Sequence, residues 1–194
     1  AVALSANGST AIVGGYSDKD YLGAAWVFTR TSGVWSQQGN KLVGTGAVGS
    51  ARQGQSVSIS ADGNTAIVGG NTDDGDAGAA WIFTRTGAVW SQQGNKLVGA
   101  GAVGTSQKGY SVSLSSDGNK AVVGGYADNG GKGAIWVFTR SAGAWSQQGS
   151  KLVGSGAVDP AGQGISVSVS GNGRTALLGA DGDAGNTGAA WVYS

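Results

Sequence analysis

The chain has 194 residues, of which 40% are hydrophobic and 39 are glycine, a composition that can build a packed core and differs from that of a disordered chain. The formal net charge is +1 and the 12 basic residues are scattered, so we expect no nucleic acid partner, and we expect no membrane insertion because no apolar run approaches the roughly 20 residues of a spanning helix. Cysteine and histidine are absent, which excludes disulfides, thiolate metal sites and the commonest acid–base catalyst.

The dominant feature of the sequence is a repeat of 55 residues. Residues 35–44 return unchanged at 90–99 and with one substitution at 145–154, and a second marker places Trp26, Trp81, Trp136 and Trp191 at the same step. Repeats of this length bury their apolar faces against their neighbours. We therefore predict a single domain, residues 1–194, with units 1–55, 56–110, 111–165 and a partial unit 166–194.

Each unit predicts four short strands in chain order. Residues 56–60 alternate small polar with apolar side chains, an Asp62-Gly63 turn follows, and residues 65–69 complete a hairpin. After a loop rich in Gly and Asp, residues 79–85 form a third strand that is apolar on both faces and must be covered on both. A polar fourth strand at 89–93, with an extension through 96–98, and a long loop at 99–109 complete the unit. This pattern predicts an all-β fold, a β-propeller with four-stranded antiparallel blades.

The last unit is incomplete, since it ends after its third strand. We expect four blades with one outer strand missing, a strand that a segment before Ala1 would commonly supply. Four blades can close as one small ring; alternatively, two chains complete a larger ring, or the remainder of a longer chain does so. Because an open arc would expose large apolar faces, we favour association as a homo-oligomer.

The units resemble the FG-GAP repeats of integrin-α-like β-propellers, in particular their bacterial type. The matching segments are 35–42, 56–66, 68–70 and 78–83, with their copies along the chain. The resemblance implies a propeller used in extracellular or cell-surface recognition, frequently in adhesion or carbohydrate contact. The integrin-type calcium loop would lie between the first two strands, where this chain has only a four-residue turn, so calcium does not follow from the resemblance.

Candidate ligand-binding residues lie in the loops between the second and third strands and in the outer strands. An Asp recurs at one register of the loop, where it either caps the loop backbone or binds sugar hydroxyls or a cation. Asp73, Asp74 and Asp76 are the candidate metal site, for which calcium is the ion considered; otherwise we expect no cofactor. The ligand-binding set is Tyr16, Asp18, Trp35, Gln37, Asp73, Trp90, Gln92, Tyr126, Asp128, Trp145, Gln147 and Asp183.

The outer-strand tryptophans have two interpretations. An aromatic plane beside amides, as Trp35 beside Gln37, is suited to stacking on a sugar ring, whereas the alternative is a rim tryptophan whose indole N–H finds a protein partner. Tyr16, Tyr126, Arg52, Gln53, Lys108, Tyr110 and Gln163 lie in or beside the long loops and differ between units. This variation is consistent either with a ligand preference that differs from unit to unit or with neutral drift of the sequence.

The leading functional hypothesis is a non-enzymatic extracellular recognition module, lectin-like and multivalent, whose partners are glycans or a cell-surface or matrix protein. Without His, Cys or Glu, a hydrolase would need paired Asp residues in a pocket, so we expect no enzymatic activity. The alternative is a structural or self-assembling repeat module, natural or engineered, with no small-molecule ligand.

Overall fold

The computed structural model describes residues 1–158 and 160–194. Within these residues, fifteen strands form four antiparallel sheets, and consecutive strands are neighbours in each sheet. The strands are β1 Val2–Leu4, β2 Thr10–Gly15, β3 Ala24–Thr31, β4 Val34–Gln37, β5 Ser56–Ile59, β6 Thr65–Gly70, β7 Ala79–Thr86, β8 Val89–Gln92, β9 Ser111–Leu114, β10 Lys120–Gly125, β11 Ala134–Ser141, β12 Ala144–Gln147, β13 Ser166–Val169, β14 Ala176–Ala180 and β15 Ala189–Tyr193. The first three sheets have four strands and the fourth has three, as the sequence predicts.

The hairpin between the first two strands of each sheet is closed by side chains. In the second sheet the Ser60 hydroxyl donates to Asp62 Oδ1 and accepts a hydrogen bond from Thr65 N at 3.0 Å. Gly63 follows with φ +70°, a left-handed conformation that glycine adopts without strain. Asn7 and Asn172 replace the aspartate in the first and fourth sheets, and Ser5 and Ser170 bond to their side-chain oxygens in the same way.

This turn predicts a defined acid sensitivity. The Ser115 hydroxyl, with the Asn119 backbone N–H, lowers the pKa of Asp117 below its usual value. A carboxylate with a lowered pKa in the folded state stabilises the protein above its unfolded pKa, and that contribution is lost as the pH falls through the folded pKa. We expect Asp117→Asn, which copies Asn7 and Asn172, to fold normally and to lose less stability than wild type below about pH 4. Urea unfolding at pH 7 and pH 3 measures this; equal losses in both proteins would contradict it.

The sheets pack face to face, and the core lies between them. Ile12 and Val27 of the first sheet contact a buried cluster that contains Trp81 and Phe83 of the second sheet. Ile67 and Ile82 of the second sheet pack in the same way on Trp136 and Phe138 of the third, and the third packs on the fourth. The prediction that the mid-strand tryptophans lie between sheets is confirmed for Trp81, Trp136 and Trp191, whereas Trp26 lies on the open side of the first sheet. Trp81 and Trp136 are fully buried, whereas Trp26 and Trp191, in the two terminal sheets, are half-buried.

The four sheets form an open arc. Their first strands lie side by side in sequence order, β1 beside β5, β5 beside β9 and β9 beside β13. Large apolar residues at both ends of the arc, Leu4 in the first sheet and Val192 in the fourth, are exposed. Closure of a ring by one chain, one of the three arrangements considered from the sequence, is therefore not observed.

Two details differ from the sequence prediction. The loop between the second and third strands contains a four-residue helical turn in every unit: α1 Asp18–Tyr21, α2 Asp73–Asp76, α3 Asp128–Gly131 and α4 Asp183–Asn186. Their central residues, such as Asp74 with φ 53°, have a left-handed backbone conformation, so each of these helices is a single tight turn. Among residues 1–158 and 160–194, no helix has the length and apolar character needed to cross a membrane. The fourth strand is also shorter than predicted, since β8 ends at Gln92 and Leu97 only bridges back to Ala80.

Candidate functional site

The recurring loop aspartates connect neighbouring units. Asp73 is buried; its Oδ1 accepts a hydrogen bond from Val48 N at 2.7 Å, and its Oδ2 lies 2.5 Å from Lys96 Nζ. Asp128 bonds in the same way to Val103 N and Lys151, and Asp183 bonds to Val158 N. The first copy, Asp18, pairs with Lys41. Asp73, Asp128 and Asp183 therefore each bind the backbone 25 residues upstream, in the long loop that joins two units, such as residues 44–54 and 99–109, which we call the connector. This contact differs from loop capping, one of the two interpretations drawn from the sequence.

The predicted cation site at Asp73, Asp74 and Asp76 is not assembled. Both carboxylate oxygens of Asp73 are engaged by Val48 N and Lys96 Nζ, while the Asp74 side chain is exposed. Across residues 1–158 and 160–194, no group of three or more His, Cys, Asp or Glu side chains is arranged to hold a metal ion. The loop is rich in aspartate, but the carboxylate of Asp73 bonds to Val48 N and Lys96 Nζ of the protein itself, so we propose no calcium site here.

The outer-strand tryptophans bind the preceding sheet. Trp90 Nε1 donates to Gln38 Oε1 at 3.0 Å, and the Arg85 guanidinium lies 5.4 Å from the centre of its ring. Trp145 repeats these contacts with Gln93 and Arg140. Trp35 lies on the open side of the first sheet and is exposed, with Arg30 over its ring. Trp90 and Trp145 thus follow the rim interpretation, in which the indole N–H has a protein partner.

The outer-strand glutamines have equally specific structural contacts. Gln92 Oε1 accepts from Thr45 N at 2.7 Å, and its Nε2 donates to Gly94 O at 2.8 Å. Gln147 makes the same pair of bonds with Ala100 N and Gly149 O. Gln37 Nε2 donates to Gly39 O. Gln92 and Gln147 thus each join the preceding connector to their own outer strand, which leaves both amide ends of these two residues occupied.

Three of the variable loop residues are also buried within the arc. Gln53 bonds to both Gly44 N and Gly44 O, and Gln163 does so with Gly154. Lys108 occupies the same register; its Nζ donates to Ser106 Oγ at 2.6 Å and lies 5.3 Å from the Trp136 ring centre. Burial lowers the pKa of Lys108. These side chains support the connector and are inaccessible to a ligand.

The remaining variable residues converge on one polar cleft of about 570 Å³. The cleft lies where the second strands end, on the face of the arc that carries the long loops, and it draws residues from the first three units. Its lining is Tyr16, Arg52, Gln55, Asn71, Thr72, Asp76, Gln107, Tyr110 and Tyr126. Of the predicted ligand-binding residues, the structure brings only Tyr16 and Tyr126 together here, with Asp76 from the predicted metal set.

The units differ at every register that lines the cleft. Tyr16, Asn71, Tyr126 and Asp181 occupy one register of the repeat; Arg52, Gln107 and Gly162 occupy a second; Gln55, Tyr110 and Ile165 occupy a third. Adjacent registers, such as those of Gln53 and of the loop aspartates, hold structural residues. Comparison of the units register by register is therefore the sequence signal that could have identified Asn71, Gln107 and Gln55, which sequence reasoning missed.

One buried polar atom in the cleft is left without a partner. The Asn71 side chain is buried, and its Nδ2 donates to Gln107 Oε1 at 3.0 Å. Asn71 Oδ1 has no hydrogen bond within the protein. A buried unpaired carbonyl is costly, by about 1–3 kcal/mol, and calls for a donor from a ligand or solvent. Near it, Tyr110 and Tyr126 pack edge to face, with their ring centres 4.7 Å apart.

The cleft backbone is held in an uncommon conformation. Arg52 and Gln107 have φ values of 55° and 52°, and Asp76 has φ 68°. Non-glycine residues with a left-handed backbone conformation are uncommon and concentrate at functional sites, where contacts with the surrounding structure hold the backbone in that conformation. Here the enforcing contacts are bonds between loops of one unit and the connector to the next, from Arg52 N to Tyr21 O and from Gln107 N to Asp76 O, both 2.9 Å.

Comparison with known proteins supports the architecture alone. No protein family model matches the sequence, and no curated protein matches it. Among solved structures, TolB from Acinetobacter baumannii aligns with 99% of this chain and 40% of its own, at 12% identity and a TM-score of 0.53. A protein described as TolB from Agrobacterium tumefaciens aligns with 93% of this chain and 53% of its own, at 14% identity and a TM-score of 0.56. The chain thus spans about half or less of these β-propeller proteins and shares their all-β arrangement of successive antiparallel sheets.

Proposed function

We propose that this chain is a non-enzymatic recognition module, built from β-propeller blades of the FG-GAP type, that binds a neutral polyhydroxylated ligand such as a glycan in the polar cleft. The observation that carries the proposal is one polar cleft, lined by residues of three units, at which every lining register differs between the units. The registers that hold the units together, such as those of Asp73 and Trp90, keep one residue type in every complete unit. Variation of the lining on an unchanged framework is what specificity for a ligand would require.

The chemistry of the lining favours a sugar. Tyr16, Tyr110 and Tyr126 offer aromatic faces and hydroxyls, and the amides of Asn71 and Gln107 offer donors and acceptors at fixed places. Arg52 and Asp76 offset each other in charge, so the lining selects neither anions nor cations. Polar groups set among aromatic rings are typical of sites that orient a small ligand.

The same lining argues against hydrolysis of the bound ligand. Asp76 is the one carboxylate among the residues that line the cleft. Glycoside hydrolysis requires a pair of carboxyl groups on either side of the scissile bond. The module therefore binds without turnover. An extracellular or cell-surface location and an adhesive role go with this proposal, and both rest on the resemblance to FG-GAP repeats.

Glycan-array screening followed by calorimetry with the best-binding oligosaccharide tests the proposal. We expect Tyr16→Ala and Tyr126→Ala each to weaken binding by roughly two- to tenfold, because each removes one aromatic face worth about 0.5–1.5 kcal/mol. The matched control is Trp35→Ala, which removes an exposed aromatic side chain outside the cleft and should leave the affinity unchanged. No added calcium is required for binding.

Two results would count against this assignment. Absence of binding to every arrayed glycan at millimolar concentration would reject the ligand class. Loss of binding in Trp35→Ala with normal affinity in both tyrosine variants would move the site to the outer strand. Circular dichroism of each variant confirms that the fold is retained, which is expected because Tyr16 and Trp35 are exposed.

A further inference from the structure

The two ends of the arc carry the two halves of a single interface. Inside the arc, the same contact between sheets occurs three times. One half presents Ile12 and Val27, or their copies Ile67 and Ile82, and this half is buried in each instance. The fourth sheet presents Leu177 and Val192 at these positions, and no sheet among the described residues covers them. We call this surface, with Ala190, the trailing face.

The first sheet carries the other half. Val2, Leu4, Val13, Trp26 and Phe28 line its open side, which we call the leading face. Their copies in the second sheet, including Ile59, Trp81 and Phe83, are buried against the first sheet. Exposure changes accordingly: Leu4 is 61% exposed and its copy Ile59 is 8% exposed, while Val192 is 68% exposed and its copy Ile82 is 1% exposed.

We propose that the trailing face binds the leading face of a second copy of this chain, head to tail, by the contact that already joins the sheets within one copy. Each face is the partner that the other has inside the arc, so shape and apolar character match by repetition. A contact between two different surfaces of the same molecule is heterologous, and it closes into a ring or continues as a filament according to its rotation.

The backbone at the two ends supports the same arrangement. Within the arc, Ala6 N donates to Ala61 O, Ala61 N to Ser116 O and Ser116 N to Gly171 O. The next bond of this series runs from Gly171 N to Ala6 O of the second copy. Likewise, Leu114 N donates to Ser58 Oγ and Val169 N to Ser113 Oγ. Ser168, exposed on the trailing face, offers the same hydroxyl to Leu4 N of the second copy.

The trailing face also has room for the incoming strand. It carries a largely apolar hollow of about 260 Å³, lined by Ser166, Ser168, Leu177 and Ala190 among others. In the second sheet, β9 of the third sheet lies over the corresponding strands β5 and β6. The strand equivalent to β9 in the first unit is β1, which therefore enters the hollow. The match covers three strands, because the fourth sheet has three.

Sedimentation velocity across a range of concentrations tests the proposal. We expect wild type to associate beyond its monomer mass of 18.9 kDa. Val192→Asp on the trailing face and Leu4→Asp on the leading face should each abolish association. The matched control is Val89→Asp: Val89 is 69% exposed but lies on an outer strand away from both faces, so this variant should associate as wild type does.

Mixing the two variants separates this contact from every symmetric one. Val192→Asp keeps an intact leading face and Leu4→Asp keeps an intact trailing face, so an equimolar mixture should form a one-to-one dimer that grows no further. A wild type that stays monomeric at all concentrations overturns the proposal, as does a Val192→Asp variant that associates normally. A mixture that remains monomeric also overturns it, because one intact junction is still available.

Discussion

Trp136→Ala is expected to lower the free energy of unfolding by about 3–5 kcal/mol, the cost of truncating a large buried aromatic residue. Trp136 is fully buried between the second and third sheets. Its Nε1 donates to Ala100 O at 2.8 Å, and Gly99 lies so close that a Cβ there would be 2.2 Å from Trp136 Cδ1. The substitution therefore empties a closely packed site and leaves a connector carbonyl without its donor.

The repeat supplies the matched control for this experiment. Trp26 has the same neighbours within its own sheet but lies on the open side of the first sheet and is half-buried. We expect Trp26→Ala to cost less than half as much, since the truncated side chain leaves little cavity. Urea unfolding followed by far-ultraviolet circular dichroism, at a concentration where the protein is monomeric, measures both. Equal losses would contradict the arrangement of sheets described here.

Asp73→Asn is expected to destabilise the protein by about 2–4 kcal/mol, because it leaves the Lys96 ammonium beside a neutral amide in a partly buried site. The asparagine Oδ1 can still accept from Val48 N, but its Nδ2 then faces Lys96 Nζ, and two donors oppose each other. The connector around Val48 loses its fixed position as a result, and with it the packing of the first unit on the second.

Asp18→Asn removes the equivalent ion pair of the first unit, Asp18 with Lys41, at a position without the bond to an upstream connector that Asp73 makes. The Asp18 and Lys41 side chains are 27% and 37% exposed, and an ion pair of this kind contributes at most about 1 kcal/mol. We therefore expect a loss below about 1 kcal/mol, measured by the same unfolding experiment at pH 7. If Asp18→Asn proved as costly as Asp73→Asn, the bond to the upstream connector would not be the source of the stability.

The strands could be predicted because their signals are local. Alternation in β5, the Asp62-Gly63 turn and the apolar run of β7 each lie within a few residues of the structure that they specify. The burial of Trp81 and Trp136 followed from the same run, since a strand that is apolar on both faces must be covered on both. Because the units repeat in sequence, each of these predictions applied to all four units.

The candidate site could be predicted only in part, because the decisive partners are distant in sequence. Asp73 meets Val48 25 residues away, and Trp90 meets Gln38 52 residues away. From the sequence alone, an aspartate in a loop or a tryptophan beside glutamines indicates a ligand-binding site. In the structure, Asp73 and Trp90 instead form contacts between units. Tyr16 and Tyr126, predicted from the sequence as ligand-binding residues, both line the cleft, but Asn71 gave no sign in the sequence that its side-chain oxygen would be buried without a partner.

The connector of each unit bonds to its own unit, as Arg52 N does to Tyr21 O, and also to the unit that follows it. Gly44 packs on Trp81, and Thr45 O accepts from Trp81 Nε1, so each pair of units carries its own complete fastening. An unequal exchange between two copies of the underlying gene segment would then add or remove a whole unit with every fastening intact. The length of the array can change in such steps during evolution, while the residues that line the cleft change independently.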